Sequence, residues 1–178
     1  DFSGSGMQDY FLTQVRVNLG WEPEDWIGVF VEGQDARVLG ESTTTAPAIN
    51  QDAVPNVFAD QFDLHQGYAD IRYRVAGQPL TIRLGRQKFN LGAKRLIASL
   101  EWVNTARVWD GVRATLGRPQ HKTLDLIASR LVPVDPQHFN DYDIPPSRLF
   151  NSRFFAGYYI DRASIRAVRF EGYVLWRS

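Results

Sequence analysis

Ala69-Asp70-Ile71-Arg72-Tyr73-Arg74-Val75-Ala76-Gly77-Gln78-Pro79-Leu80-Thr81-Ile82-Arg83-Leu84 reads as two strands folded back on each other. Ala69, Ile71, Tyr73 and Val75 alternate with Asp70, Arg72 and Arg74 at the period of two that a pleated strand imposes. After the tight link at 76–79, Ile82 and Leu84 alternate with Thr81 and Arg83. One face is apolar and the other is charged, which a dry core does not tolerate.

The same rhythm extends in both directions. Strands are expected at 10–21, 26–39, 64–75, 80–91, 111–117, 124–132, 153–160 and 165–176. Tight links around 22–25, 76–79, 118–123 and 161–164 alternate with long ones around 40–62, 92–109 and 133–152. A meander with every second connection long is the pattern of an outer-membrane barrel, with turns at one end and loops at the other. Each segment is near the 9–11 residues a tilted membrane strand needs, and aromatic residues such as Trp21, Trp26, Trp109, Tyr158 and Trp176 gather at segment ends. Arg86 and Lys88 break the alternation of their strand by falling on its apolar face. Either they stand at the rim beyond the apolar band, or a bulge resets the phase. The polar face, with Arg16, Glu32, Asp70, Arg72, Arg74, Arg83, Arg113 and Arg169, either meets bulk solvent or lines an aqueous lumen.

Composition narrows the classes. No apolar run approaches the roughly 20 residues of a spanning helix. The absence of Cys excludes a disulfide framework and thiolate metal sites. Net charge is zero, but it is unevenly spread: 21–70 holds ten acids against Arg37, while 72–113 holds nine bases against Glu101 and Asp110. Arginine dominates the bases, and its planar fork holds carboxylates bidentately. His65, His121 and His138 are too scattered for a metal cluster or a catalytic base, and neither a phosphate loop nor a nucleophile elbow is present. Asp135, Asp141 and Asp143 read as ordinary loop acids rather than a hydrolytic pair, and the loop at 40–62 lacks the ligand spacing of a calcium loop. We therefore expect no catalytic residues, no metal, no cofactor and no nucleic-acid partner. Residues 1–10 carry neither a basic start nor an apolar stretch, and the chain stops inside a strand. We expect 1–178 to be a partial barrel domain, truncated at its C-terminal and its N-terminal end.

Gly85-Arg86-Gln87-Lys88-Phe89-Asn90-Leu91-Gly92-Ala93-Lys94-Arg95-Leu96-Ile97, continuing through Trp102-Val103-Asn104-Thr105-Ala106-Arg107-Val108-Trp109-Asp110-Gly111-Val112-Arg113, resembles the alginate-export family of outer-membrane β-barrels. Val31-Glu32-Gly33-Gln34-Asp35-Ala36-Arg37 and Asp63-Leu64-His65-Gln66-Gly67-Tyr68-Ala69-Asp70 agree with it, and the register holds over about 10–132. The resemblance implies a monomeric 18-stranded pore with an arginine-rich lumen that passes an anionic polyuronate across the outer membrane. Ala93-Lys94 stand where the family commonly has an acidic or amide residue after the glycine, so the loop entrance is more basic than the pattern.

The expectation is an all-β, antiparallel up-and-down transmembrane barrel in a Gram-negative outer membrane, not an enzyme. It would carry anionic polysaccharide or small anionic solutes by passive diffusion, in contact with outer-membrane lipid and with periplasmic export components. The candidate path is Arg72, Arg74, Arg83, Arg86, Arg95, Arg107 and Arg113, with Glu32 and Asp70 among them. The competing role for these arginines is structural, as braces paired with Glu101, Asp110 or other acids. The competing fold is a soluble β-sandwich or jelly roll that binds or cleaves carbohydrate, which would need a second sheet over the apolar face.

Overall fold

The computed structural model describes residues 11–39, 58–134, 139–140, 153–165 and 168–177. They form β1 (Phe11–Glu24), β2 (Ile27–Leu39), β3 (Asp60–Val75), β4 (Gln78–Gln87), β5 (Trp109–Gly117), β6 (Lys122–Leu131), β7 (Arg153–Ile165) and β8 (Val168–Arg177). The eight strands make one antiparallel sheet in chain order. All the expected strands are therefore present in the expected up-and-down order. The sheet is open, with β1 and β8 as its edges, and no second sheet is formed among the described residues. Glu41, Asp52, Asp135, His138, Asp141 and Asp143 lie outside the described residues, as does the side chain of Arg169.

The short connections explain the order. Ala76 and Gly77 both take positive φ (49° and 76°) between the paired residues Val75 and Gln78. This two-residue hairpin has a backbone twist that matches its strands. β7 runs on to Ile165 instead of ending at Ile160, and β4 ends at Gln87 instead of running to Leu91. There the Leu91 amide donates to Ile97 O (3.1 Å), turning the chain away from the ladder.

Because each strand is paired in register with the next over most of its length, strand alternation becomes two faces of the whole sheet. Trp21 stands opposite Val29 and Val29 opposite Ala69; Ala69 opposes Leu84, Leu84 opposes Val112, Val112 opposes Ala128, Ala128 opposes Phe155, and Phe155 opposes Trp176. That row crosses all eight strands with apolar side chains, and most of its large members are exposed. On β6 the inversion is plain: Leu124 and Leu126 are exposed, whereas Thr123, Asp125, Ile127 and Ser129 between them are buried. An ordinary globular sheet buries the first set and wets the second.

Most of the apolar burial among the described residues is in one cluster on the polar face. Trp109, Ile127, Phe154, Ala156, Tyr158 and Ile160 of β5, β6 and β7 surround Phe89, Leu91 and Ile97, which follow β4. Phe89 is completely buried, 5.3 Å from the Trp109 ring and edge-on to Phe154 at 6.1 Å.

The crossing of β3 and β4 depends on Gly85. Its φ of 122° lies in the left-handed half of conformational space, and a Cβ there would sit 2.3 Å from Gly67 O. Gly85→Ala is expected to cost about 1–3 kcal/mol in unfolding free energy. Gly172→Ala, where a Cβ meets nothing within 4 Å, should stay within about 0.5 kcal/mol of the parent. Urea titration of both variants checks the pair.

Candidate functional site: the polar face and its strap

The polar face begins with a bulge. Glu32 pairs with Gln66 and Gly33 with Leu64, so His65 is the extra residue on β3. Both His65 and Gln66 are thereby brought to Glu32. Gln66 Nε2 donates to Glu32 Oε1 (2.9 Å), while His65 Nε2 and Lys88 Nζ lie 3.8 Å and 3.7 Å from the same oxygen. Lys88 is also 3.1 Å from Glu101 Oε1, and Arg16 Nη1 donates to Glu101 Oε2 at 3.0 Å. Arg16 Nε donates in turn to Gln34 Oε1 (2.8 Å), whose amide nitrogen donates to Thr105 O (2.9 Å). Charges of opposite sign thus alternate through Glu32, Lys88, Glu101 and Arg16, so the buried Glu32 carboxylate has a cation beside it.

Glu101 and Thr105 belong to the connection between β4 and β5, which lies over this face as a strap. One end is held by apolar contact, through Phe89, Leu91 and Ile97 against β5, β6 and β7. The other is held by polar contact with β1 and β2. There Asn104 Nδ2 donates to Thr13 O (3.1 Å) and Phe58 O (2.6 Å), and Gln14 Nε2 donates to Asn104 O. Within the strap the Arg107 amide donates to Ser99 O (2.6 Å), and Asn90 Oδ1 accepts from the Ser99 amide (3.2 Å). At its start Gly92 passes close to Tyr158 and Glu171, whose carboxylate would have to shift to admit a Cβ.

The sequence-derived arginines divide into two groups. On the wall, Arg83 Nε and Nη2 donate to both carboxylate oxygens of Asp70 (2.7 and 2.8 Å), and its guanidinium lies 3.7 Å over the Tyr68 ring. Arg113 Nε donates to Asp125 Oδ1 at 2.8 Å, and Arg72 Nη2 to Glu22 Oε1 at 2.6 Å. Arg86 donates to Asp110 (2.9 and 3.3 Å) and to Leu64 O (2.8 Å). Arg86 pairs with Gly67 on one side and Asp110 on the other without a register shift, so it stands at the loop-side end of β4 and no register-shifting bulge explains its position. Arg74, Arg95 and Arg107, by contrast, are exposed, and no ion pair is formed by them among the described residues.

Sequence reading singled out Glu32 and Asp70, but it missed Arg16, Gln34, Lys88, Asn104 and Thr105 as partners. Two signals pointed to them. Lys88 breaks the alternation of its segment, because it lies past the end of β4 and reaches Glu32 and Glu101. Glu101 is an isolated acid in a basic stretch, and it accepts from Arg16 and Lys88 rather than from the arginines flanking the loop.

Burial pushes the Glu101 carboxyl up, but hydrogen bonds from Arg16 and Lys88 outweigh it and hold the group below the ordinary carboxylate range. A depressed pKa contributes stability above the ordinary value and loses it as pH falls through the lowered one. Half-exposed pairs of this kind are worth about 0.2–1 kcal/mol each. Glu101→Gln should therefore speed exchange of the Arg107 amide about fivefold, an opening free energy lower by roughly 1 kcal/mol. Acidifying the parent through the lowered pKa should do the same, after correction for intrinsic exchange, and acid should add nothing in the variant. Unchanged protection in Glu101→Gln would mean that the amide bonds alone hold the strap.

A search of curated proteins and a search of solved structures each return no match to this chain. Residues 2–178 match the alginate-export family, the same family that the stretch 85–113 resembles. Alginate export is transport and not catalysis, in keeping with a polar face built of ion pairs. The match covers all eight strands and the strap, so the chain belongs to the alginate-export family.

Proposed function

We propose that this sheet is wall of a transmembrane β-barrel in the Gram-negative outer membrane, passing anionic polysaccharide of the polyuronate kind along its polar face by passive diffusion. The observation that carries this reading is the inverted sheet: a continuous, exposed apolar row over eight strands, backed by a face of arginine–carboxylate pairs. Lipid satisfies the first surface and water the second. A wide barrel with an aqueous interior accepts charged side chains that a narrow one would have to exclude. The open edges β1 and β8 fit a sheet that continues into further strands.

On this reading transport needs no cofactor and no covalent step. Arg83, Arg113 and their carboxylates keep the wall hydrated and stiff, and weak contacts spread along the path let a chain of sugars slide. Tight binding at any one point would stop conduction. The membrane assignment also supports outer-membrane lipid as the apolar face's solvent, and periplasmic export components as partners that deliver the polymer.

Two measurements test it. Single-channel recording of the protein in planar bilayers should give anion-selective current that polyuronate oligomers block in a concentration-dependent way; absence of any channel would overturn the pore. Leu126→Arg, on the same exposed apolar face two residues from Ala128, should cost about 2–4 kcal/mol of folding free energy in lipid vesicles. In a water-facing sheet the same exposed substitution would fall within about 0.5 kcal/mol.

A further inference from the structure

Resting on that pore reading, we propose that the apolar face carries a docking site for a phosphorylated lipid headgroup of the outer leaflet, built from Arg130 and Arg153 beside the Arg86–Asp110 pair. The ladders place these residues. The apolar row through Leu84, Val112, Ala128 and Phe155 is followed, two residues nearer the long connections, by Arg86, Asp110, Arg130 and Arg153. Side chains two residues apart share a face, so this charged row stands on the lipid side, about 7 Å beyond the last apolar one. The turn-side end of the same face is different. There the row through Leu80, Leu116, Leu124 and Tyr159 is apolar, and Lys122 beyond it is matched by Asp161 at 3.1 Å. Long connections of an outer-membrane barrel face outward, which puts the basic row at the outer leaflet.

The row holds three arginines and one aspartate, and two of the arginines, Arg130 and Arg153, are direct cross-strand partners. Like charges directly opposite one another destabilise a sheet, and an anion between them relieves the repulsion. The polar face shows how strands usually meet that demand. Arg83 and Arg113 also stand opposite each other, and each has its own carboxylate, Asp70 at 2.7 Å and Asp125 at 2.8 Å. In the rim row the single carboxylate, Asp110, already accepts two bonds from Arg86 (2.9 and 3.3 Å), so positive charge is in excess. An open groove of about 450 Å³ lies at this point, lined by Asp110, Ala128, Arg130, Arg153 and Phe155. That is the size of a small-ligand site. Its basic end lies toward the loops, and its apolar end is Phe155, stacked on Trp176 at 5.2 Å. A lipid presents the same two chemistries in the same order, phosphate at the surface and acyl chain beneath. Arginine forks bind phosphate oxygens bidentately. By register the row lies on the opposite face from Arg83 and Arg113, so the site takes its ligand from the membrane and not from the cargo path.

Native mass spectrometry of the protein in detergent micelles, titrated with lipid A (a phosphorylated glycolipid) or with its dephosphorylated form, tests the site. The phosphorylated lipid should bind at least about tenfold more tightly, and Arg130→Gln with Arg153→Gln should abolish that margin. Arg95→Gln with Arg107→Gln, an equal change of charge on the β4–β5 connection, should leave the margin within about twofold of the parent's. If the first variant fails to fold, the parent's comparison of the two lipids still decides. Equal binding of both lipids by the parent overturns the proposal, as does a margin that survives in Arg130→Gln with Arg153→Gln or is lost to the same extent in the control. Complete displacement of the lipid by excess inorganic phosphate would assign the site to the free anion and also overturn it. In each of these cases a protein that conducts in planar bilayers leaves the pore reading standing, whereas one that forms no channel overturns both.

Discussion

An antiparallel register that keeps its phase from strand to strand, through a few local shifts, is the constraint on which the rest depends. Each ladder fixes which side chains stand opposite one another, and a slip of one residue would send every side chain to the other face. Seven successive ladders hold that phase from Leu19 on β1 to Trp176 on β8. Where the register shifts, as at His65, the extra residue turns toward Glu32, and the next pair resumes the phase. Two chemically opposite surfaces follow from this. The apolar one is left uncovered, and the polar one carries both the ion pairs and the strap.

The polar surface resolves a conflict that alternating strands create. Charged side chains held on one face need partners, and cross-strand neighbours supply them: Asp70 stands directly opposite Arg83, while Asp125 reaches Arg113 along the diagonal. The same logic accounts for the strap. Phe89, Leu91 and Ile97 cannot remain on a wet polar face, so they collect against Trp109, Ile127 and Ile160. That contact pulls the start of the connection across the sheet, after which Glu101, Asn104 and Thr105 reach β1 and β2. Apolar clustering at one end and charge pairing at the other give the connection a fixed position where a hydrated loop would wander.

Much of this was legible in the sequence. Alternation in Ala69–Leu84 and the Ala76-Gly77 turn pointed to the hairpin, and the spacing of short and long links pointed to the strand order. The stretch 85–113 identified the family before any geometry. What alternation could not supply was partnership. Arg83 and Arg95 look alike as letters, yet one is held by Asp70 and the other is unpaired among the described residues. Distinguishing them needs the register, because Asp70 becomes the neighbour of Arg83 only through the 70↔83 pairing. The end of β4 was misjudged for a related reason. Phe89 and Leu91 continue an alternating pattern, but their burial against β5, β6 and β7 outweighs continued ladder pairing.

The central claim is that the apolar face meets lipid and the polar face meets water. The chain contains no cysteine, so single cysteines can be placed without background. Replacing Val112, Arg113, Ala114, Thr115 and Leu116 one at a time with Cys, in the bilayer-reconstituted protein, and reacting each with a membrane-impermeant thiol reagent reads the two faces directly. Lipid contact on one side requires labelling to alternate, with the cysteines at 113 and 115, which are not fully buried, reacting and those at 112, 114 and 116 protected. Uniform labelling along β5, or reaction at 112, 114 and 116 in preference, would contradict it.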